Sequence, residues 1–227
     1  MKITLHRTIA EIKTTESRIK TLVSRYSNSK LFVGLYDKSK KAAEGGIARD
    51  EVIRNIQGNI DKFNALYKNL TNLKFGLVNA NAGLTSSIPH DQLETAEVCG
   101  KQYTILEILA LKKILGYKTM LKDKLTEEYV SVTSSIEQSN KDNKDRLDRI
   151  LTQFADKKAD DKSNSAIAIK ATTEAFWETN GLEMIDPLGI KSMIDSLDRE
   201  INAYSIEIDA ALSQSNALRT IEVDLEG

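Results

Sequence analysis

Two histidines, one cysteine and a pair of matching glutamates are the side chains in this sequence that could carry chemistry. His6 and His90 each sit beside an expected strand end. Brought together, they could hold a metal or work as an acid–base pair. Neither has a nearby cysteine or carboxylate cluster at ligand spacing, so both read as ordinary surface or turn histidines. Cys99 precedes Gly100 in an expected turn. A nucleophilic thiol needs a base and a depressed pKa. No neighbour supplies either, and the residue reads as a small buried apolar group. Glu11 and Glu107 suggest a carboxylate pair, but each stands three residues after a threonine, Thr8 and Thr104. That is where a capping box puts its glutamate. Gly34, Gly45 and Gly46 lack the spacing of a phosphate-binding loop. The expectation is a non-enzyme with no catalytic residue, no cofactor and no metal site.

Binding residues are better candidates than catalytic ones. Trp177, the only tryptophan, follows Phe176 and precedes a polar stretch. Tryptophan is enriched at interface hot spots, although core packing is the simpler account of such a pair. Tyr67 and Tyr204 each lie on one of two apolar helical stripes. Phe176, Trp177, Tyr67 and Tyr204 are therefore the candidate interface residues. Lys38, Lys40 and Lys41 make a small basic cluster, but Asp37 and Glu44 flank it and a solvated loop is the simpler account.

The elements that would position these residues are mostly long helices. Lys2 to Leu5 alternates as a short strand, and Thr8 with Glu11 opens a helix carrying Ile9, Ile12, Ile19, Leu22 and Tyr26 on one stripe. Leu31 to Tyr36 fits a strand or a tucked loop, and Lys38 to Gly46 a mobile polar loop. From Val52 the apolar residues Ile53, Ile56, Ile60, Phe63, Tyr67 and Leu70 fall three and four apart, a coiled-coil-like seam that ends at Asn79 to Gly83. Leu84 to Ile88 and Thr95 to Cys99 read as strands, with Gly100-Lys101 turning the chain into Gln102-Tyr103. Thr104 with Glu107 opens a second, longer helix that continues to Ile136, breaks at Asn140 to Asn143 and resumes to Phe154. Lys157 to Ser165 reads as a hinge, and Ala166 to Trp177 as helix. Asp186-Pro187 reads as a helix start, aspartate at the N-cap and proline at the first helical position. The seam from Ile190 through Ile194, Leu197, Ile201, Tyr204 and Ile208 to Ala211 follows. Thr220 to Leu225 alternates as a terminal strand.

Short phrases recur: Thr8-Ile9-Ala10-Glu11-Ile12 as Thr104-Ile105-Leu106-Glu107-Ile108, and Asn81-Ala82 as Asn216-Ala217. The fold class expected is therefore mainly α: two long antiparallel helical hairpins, coiled-coil-like, with a small sheet of short strands at their base. Residues 1–227 would form a single elongated domain of two hairpin repeats. These are about 1–90 and 95–227, the second with an insertion around 132–182.

Composition narrows the function classes. Charged residues are 29%, aromatics 6% and prolines two, which favours solvated helices over a sheet-rich globule. The 32 basic and 33 acidic residues cancel to −1, without the basic excess of a general nucleic-acid binder. No apolar run reaches the ~20 residues that span a bilayer. A single cysteine without a signal peptide indicates a reducing compartment. The stripes are wide, with Leu66 beside Tyr67 and Ile206 near Ile208. That width implies more than one neighbour for each helix.

The chain resembles the septicolysin-like family of helical bacterial and phage proteins of unknown biochemical role. The matching features are Thr8 to Ile12, the stretch leading into Thr104 to Ile108, Asp186-Pro187-Leu188, and Ser215-Asn216-Ala217 followed by Thr220-Ile221-Glu222-Val223. The resemblance implies a phage or prophage context and supplies no functional residue. The pore-forming activity in the family label is not expected, because no stretch reads as an amphipathic lytic segment with a basic face. The function expected is a non-enzymatic structural or assembly protein, located in the virion or the host cytoplasm. Its partners would be a second copy of itself and other virion or host proteins. The alternative is a phage-encoded binding protein that inhibits a host defence enzyme, using the Phe176-Trp177 region or the Lys38 loop as its contact surface.

Overall fold

In the computed structural model, the residues described are 3–24, 30–85, 94–155 and 162–218. Among them the chain is mainly helical with small antiparallel sheets of short strands. Helix α1 covers Leu5–Val23. Its N-cap is Thr4, whose extended backbone and Oγ1 meet the Arg7 N–H at 3.3 Å. This corrects two expectations. Leu5 is helical rather than part of a strand, and Thr8 lies a turn inside the helix, its hydroxyl donating to the Thr4 carbonyl at 3.0 Å. An equally good capping oxygen one turn upstream took the helix start. Glu11 pairs instead with Arg7 at 4.0 Å.

Helix α2 is Arg49–Thr85, with Asp50 and Glu51 in its first turn where the helix dipole favours them. Ile56, Ile60, Phe63 and Leu70 are buried along the expected seam. Asn79 to Gly83 does not stop it. The Asn79 side chain donates to Glu107 at 2.8 Å and Ala82 is buried, so tertiary partners absorb the residues that would otherwise break the helix. Helix α3, Ile105–Ala155, does open on its capping box. The Thr104 N–H donates to the Glu107 carboxylate at 2.9 Å, and the Glu107 N–H to Thr104 Oγ1 at 3.3 Å. It then runs unbroken through Asn140 to Asn143, with Asn143 buried.

Helix α4 is Lys162–Thr179, so the expected hinge is helical over its last four residues; residues 157–161 lie outside those described. Helix α5 is Ile190–Leu218. It starts beyond Asp186-Pro187, because Gly189 turns the chain with φ +62. Asp186 nevertheless caps it from four residues away, accepting the Ile190 N–H at 2.9 and 3.0 Å.

Strands β1 (Gly34–Asp37), β2 (Ala42–Ala43) and β5 (Leu182–Ile185) form one sheet in the order β2-β1-β5. Strand β1 pairs antiparallel with β5, Gly34 opposite Ile185 and Asp37 opposite Leu182. Strand β5 has no counterpart among the strands expected from the sequence. Lys38 to Gly46, expected as a loop, holds β2 and a 3-10 turn at Glu44–Gly46. Strands β3 (Thr95–Val98) and β4 (Lys101–Thr104) form a separate hairpin. Cys99 and Gly100 take φ +49 and +76, the doubly left-handed turn that matches strand twist. Among the described residues the short strands therefore fall into two separate sheets and not one. The expected strand at 220–225 lies outside the described residues, as does 86–88.

The chain divides into two compact units, each assembled from separated stretches. Unit 1 comprises the described parts of Met1–Arg25, Asp61–Lys124 and Ser192–Gly227, and unit 2 those of Tyr26–Ile60 and Leu125–Lys191. Val98, Ile108, Leu111, Leu115, Ile201, Ile208 and Ala211 cluster in the unit 1 core, with Phe75, Tyr103 and Tyr204 packed against them. Lys112–Asp209, Lys118–Glu200 and Lys122–Asp198 pair α3 with α5 in opposite chain directions. In unit 2, Ala43, Ile56 and Ile185 cluster with Tyr36, Val52, Ile53 and Leu188. Gly34 is required there. A Cβ at that position would stand 2.6 Å from Val52 Cγ1 and 3.1 Å from Ile185 Cβ. A buried carboxylate also organises this unit. Glu128 accepts the Leu31 N–H at 3.0 and 3.1 Å and the Phe32 N–H at 2.8 Å.

Candidate functional site

The capping box fixes where α3 begins, and with it which side chains of the first turns face which way. Ile108, Leu111 and Leu115 enter the unit 1 core, which they share with α5. Leu106, Leu109, Ala110 and Lys113 fall on the other side of the same helix. There they line a groove of about 290 Å³ with Ile12 of α1 and Lys74, Leu77 and Val78 of α2. Leu106 is 41% and Leu109 44% exposed, and Ile9 and Leu5 on α1 are 44% and 38% exposed. Leu106 and Leu109 thus stand in solvent on the wall of an apolar groove, a combination that marks interaction surfaces. Lys74 is held by Glu16 at 2.7 Å. Lys113, on the lip, forms no ion pair among the described residues.

Geometry decides what such a groove accepts. Its walls are too exposed to enclose most of a small ligand, and its volume is at the lower end for small-molecule pockets. An apolar floor with amine rims suits the side-chain stripe of an amphipathic helix. The groove lining holds no acid–base pair.

The candidates from sequence fall elsewhere. His6 is exposed in the first turn of α1, and His90 lies outside the described residues. Cys99 is half-buried at the β3–β4 turn, where its N–H donates to Glu207 at 2.5 Å. Burial, and then the Glu207 carboxylate, push its thiol pKa up, away from nucleophilic character. Phe176 is buried and Trp177 half-buried in unit 2, their rings edge-to-face at 5.6 Å. Lys38 reaches the Trp177 carbonyl at 3.4 Å and Glu183 at 3.1 Å, so the basic loop is tied down rather than free. Tyr67 and Tyr204 are half-buried in unit 1. Lys118 stands over the Tyr67 ring at 5.1 Å, and Tyr204 packs against the unit 1 core. Burial pushes both hydroxyls above the usual tyrosine pKa; for Tyr67 Glu200 adds to the effect, and for Tyr204 Tyr103 does. The four candidate interface residues thus divide two and two between the units.

The groove was missed although its signal was present. Tyr103 to Leu115 is the densest apolar run in the chain, and it is apolar on more than one face of its helix. Such a helix needs neighbours on both sides.

Among the described residues no group of three or more histidine, cysteine or acidic side chains is placed to hold a metal ion. Among them, too, no helix is long and apolar enough to cross a membrane. Comparison with protein-family models, with curated proteins and with solved structures finds no match to this chain.

Proposed function

We propose that this chain is a non-enzymatic structural or assembly protein that works by helix-mediated self-association or partner binding. The observation that supports the reading is the groove of unit 1, with Leu106 and Leu109 in solvent on its wall. Covering each of these side chains contributes on the order of 1 kcal/mol. They would anchor a partner whose wider contact supplies the rest against the cost of association. The same proposal includes coiled-coil-like hairpin packing of the long helices, a reading supported in unit 1 by the three α3–α5 ion pairs. It also includes a phage or prophage origin, supported by the septicolysin-like motifs, with the virion or the host cytoplasm as the place of action. The test is the solution mass of the purified full chain by light scattering. The wild type is expected above monomer mass, and Leu109→Asp shifted toward the monomer. A wild type that stays monomeric and captures no partner would refute the proposal.

The second reading is a phage-encoded inhibitor of a host defence enzyme. It rests on the cluster in unit 2 where Arg49 stands over the Tyr36 ring at 5.4 Å and, with Lys38, meets Glu183 beside Trp177. Capture of a bacterial enzyme, lost on Arg49→Glu and kept on Leu109→Asp, would favour it over the first.

A further inference from the structure

We propose that Asn180-Gly181, at the junction of α4 and β5, is a self-modification site. Asn180 is held as an amide while unit 2 is closed, and it deamidates when unit 2 opens. No other asparagine in the sequence is followed by glycine. Glycine, with no Cβ, is the successor whose main-chain nitrogen is least shielded. Gly181 takes φ +110, the conformation with which a glycine ends a helix, and its N–H donates to no acceptor among the described residues. Both residues are half-buried, so water reaches them.

The reaction needs only water. The Gly181 nitrogen gives its proton to hydroxide and attacks the side-chain carbonyl carbon of Asn180. An N–Cγ bond forms, the Cγ–Nδ2 bond breaks, and ammonia leaves with a proton from water. The resulting cyclic succinimide is opened by a further water at either carbonyl, giving aspartate or isoaspartate. Nothing is oxidised or reduced.

In the closed unit the carboxamide is turned back along α4. Asn180 Nδ2 donates to the Phe176 carbonyl at 2.9 Å and to Thr179 Oγ1 at 3.0 Å. The Asn180 N–H donates to the same carbonyl at 2.9 Å, and the Thr179 hydroxyl does so at 3.3 Å. The next residue is pinned by the sheet: the Lys38 N–H donates to the Gly181 carbonyl at 3.1 Å, one step beyond the Asp37–Leu182 pair. Ring closure requires the carboxamide to swing forward onto the Gly181 nitrogen. That breaks the cap on α4 and pulls Gly181 off Lys38.

The product does not fit where the amide sat. A carboxylate has no proton to donate to the Phe176 carbonyl, and it puts negative charge at the C-terminal end of α4, where the helix dipole disfavours it. Isoaspartate also adds a methylene to the main chain and moves Gly181 out of register with Lys38. Each opening that ends in reaction therefore leaves a unit 2 that opens more readily, and refolding does not undo it.

The full chain is incubated in mildly alkaline buffer, folded and in guanidinium, and Asn180 deamidation is followed by peptide mass spectrometry. A slow step confined to the open form tracks the population of that form, so the folded chain is expected to react at least about tenfold more slowly than the unfolded one. Ile56→Ala loosens the core that Ile56 shares with Ile185 and is expected to raise the folded-state rate at least about tenfold. Asn180→Asp, which installs one product directly, is expected to speed hydrogen exchange at the β1 and β5 amides by about tenfold. Equal rates in the folded and unfolded chains would overturn the inference, as would a folded-state rate unmoved by Ile56→Ala. Wild-type exchange at β1 and β5 in Asn180→Asp would overturn it too, because the modification would then leave no mark on the unit.

Discussion

Replacing Glu128 with alanine tests the most consequential interaction inside unit 2. Its carboxylate is 4% exposed and accepts two consecutive backbone amides, those of Leu31 and Phe32. Phe32 itself has no exposed surface. A hydrogen bond to a charged group contributes about 1.5–3 kcal/mol, and a buried donor left unpaired costs about 1–3 kcal/mol. Two amides at about 2 kcal/mol each give about 4 kcal/mol. Water entering the space left by the lost side chain lowers this to about 3 kcal/mol. In Glu128→Gln an oxygen at the Oε2 position still accepts both N–H groups, while the charge and the second Leu31 contact at Oε1 are lost, so about 1 kcal/mol is expected. Urea denaturation followed by circular dichroism gives the total, and with ordinary slopes the alanine midpoint falls by about 1–2 M. Hydrogen exchange at the Leu31 and Phe32 amides reads the same loss locally, which matters in a chain of two units. An alanine variant within about 0.5 kcal/mol of wild type, with both amides still slow to exchange, would refute the reasoning.

Ile201→Asp puts a carboxylate into the unit 1 core at a position only 9% exposed. A loss of about 4 kcal/mol or more is expected, read as lost helicity; a variant with full helicity and native size would show that the seam is misassigned. Gly34→Ala drives a methyl group against Val52 and Ile185 and is expected to cost about 1–3 kcal/mol by thermal denaturation, part of it recovered by Val52→Ala in the same background. The Cys99 thiol, with its pKa raised by burial and Glu207, holds less thiolate at pH 8 than a free cysteine. Its alkylation is expected to be slower than that of a small-molecule thiol and to speed up in Glu207→Gln, as followed by mass spectrometry.

Strong periodicity made the long helices legible. Ile56, Ile60, Phe63 and Leu70, and again Ile201, Ile208 and Ala211, carry enough apolar residues at helical spacing to outweigh local breakers. Helix ends were harder, because they depend on which of several competent caps wins. Thr104 had no rival and was read correctly, whereas Thr8 lost to Thr4, and Asp186 caps across Gly189. The hairpin turn at Gly100 was visible from one glycine between two short alternating runs. Strand β5 was not, since Leu182-Glu183-Met184-Ile185 is too short to show a period and depends on β1, far away in sequence. Glu128 likewise looks like any other glutamate on a charged helix until Leu31 and Phe32 meet it. The groove needed both faces of α3 to be read together, and a single seam captures only one.

Strand β1 lies in the middle of its sheet, yet its neighbour β5 comes after α2, the β3–β4 hairpin, α3 and α4. A ribosome must therefore release Ile185 before β1 gains its longer partner. Until then the newly made chain offers one unsatisfied edge of main-chain amides and carbonyls, an opening for pairing with neighbouring nascent chains. The edge is only four residues long and begins at a glycine, which keeps that hazard small. The final closure of this sheet is thus expected to come late in biosynthesis, after most of the helical sequence has emerged.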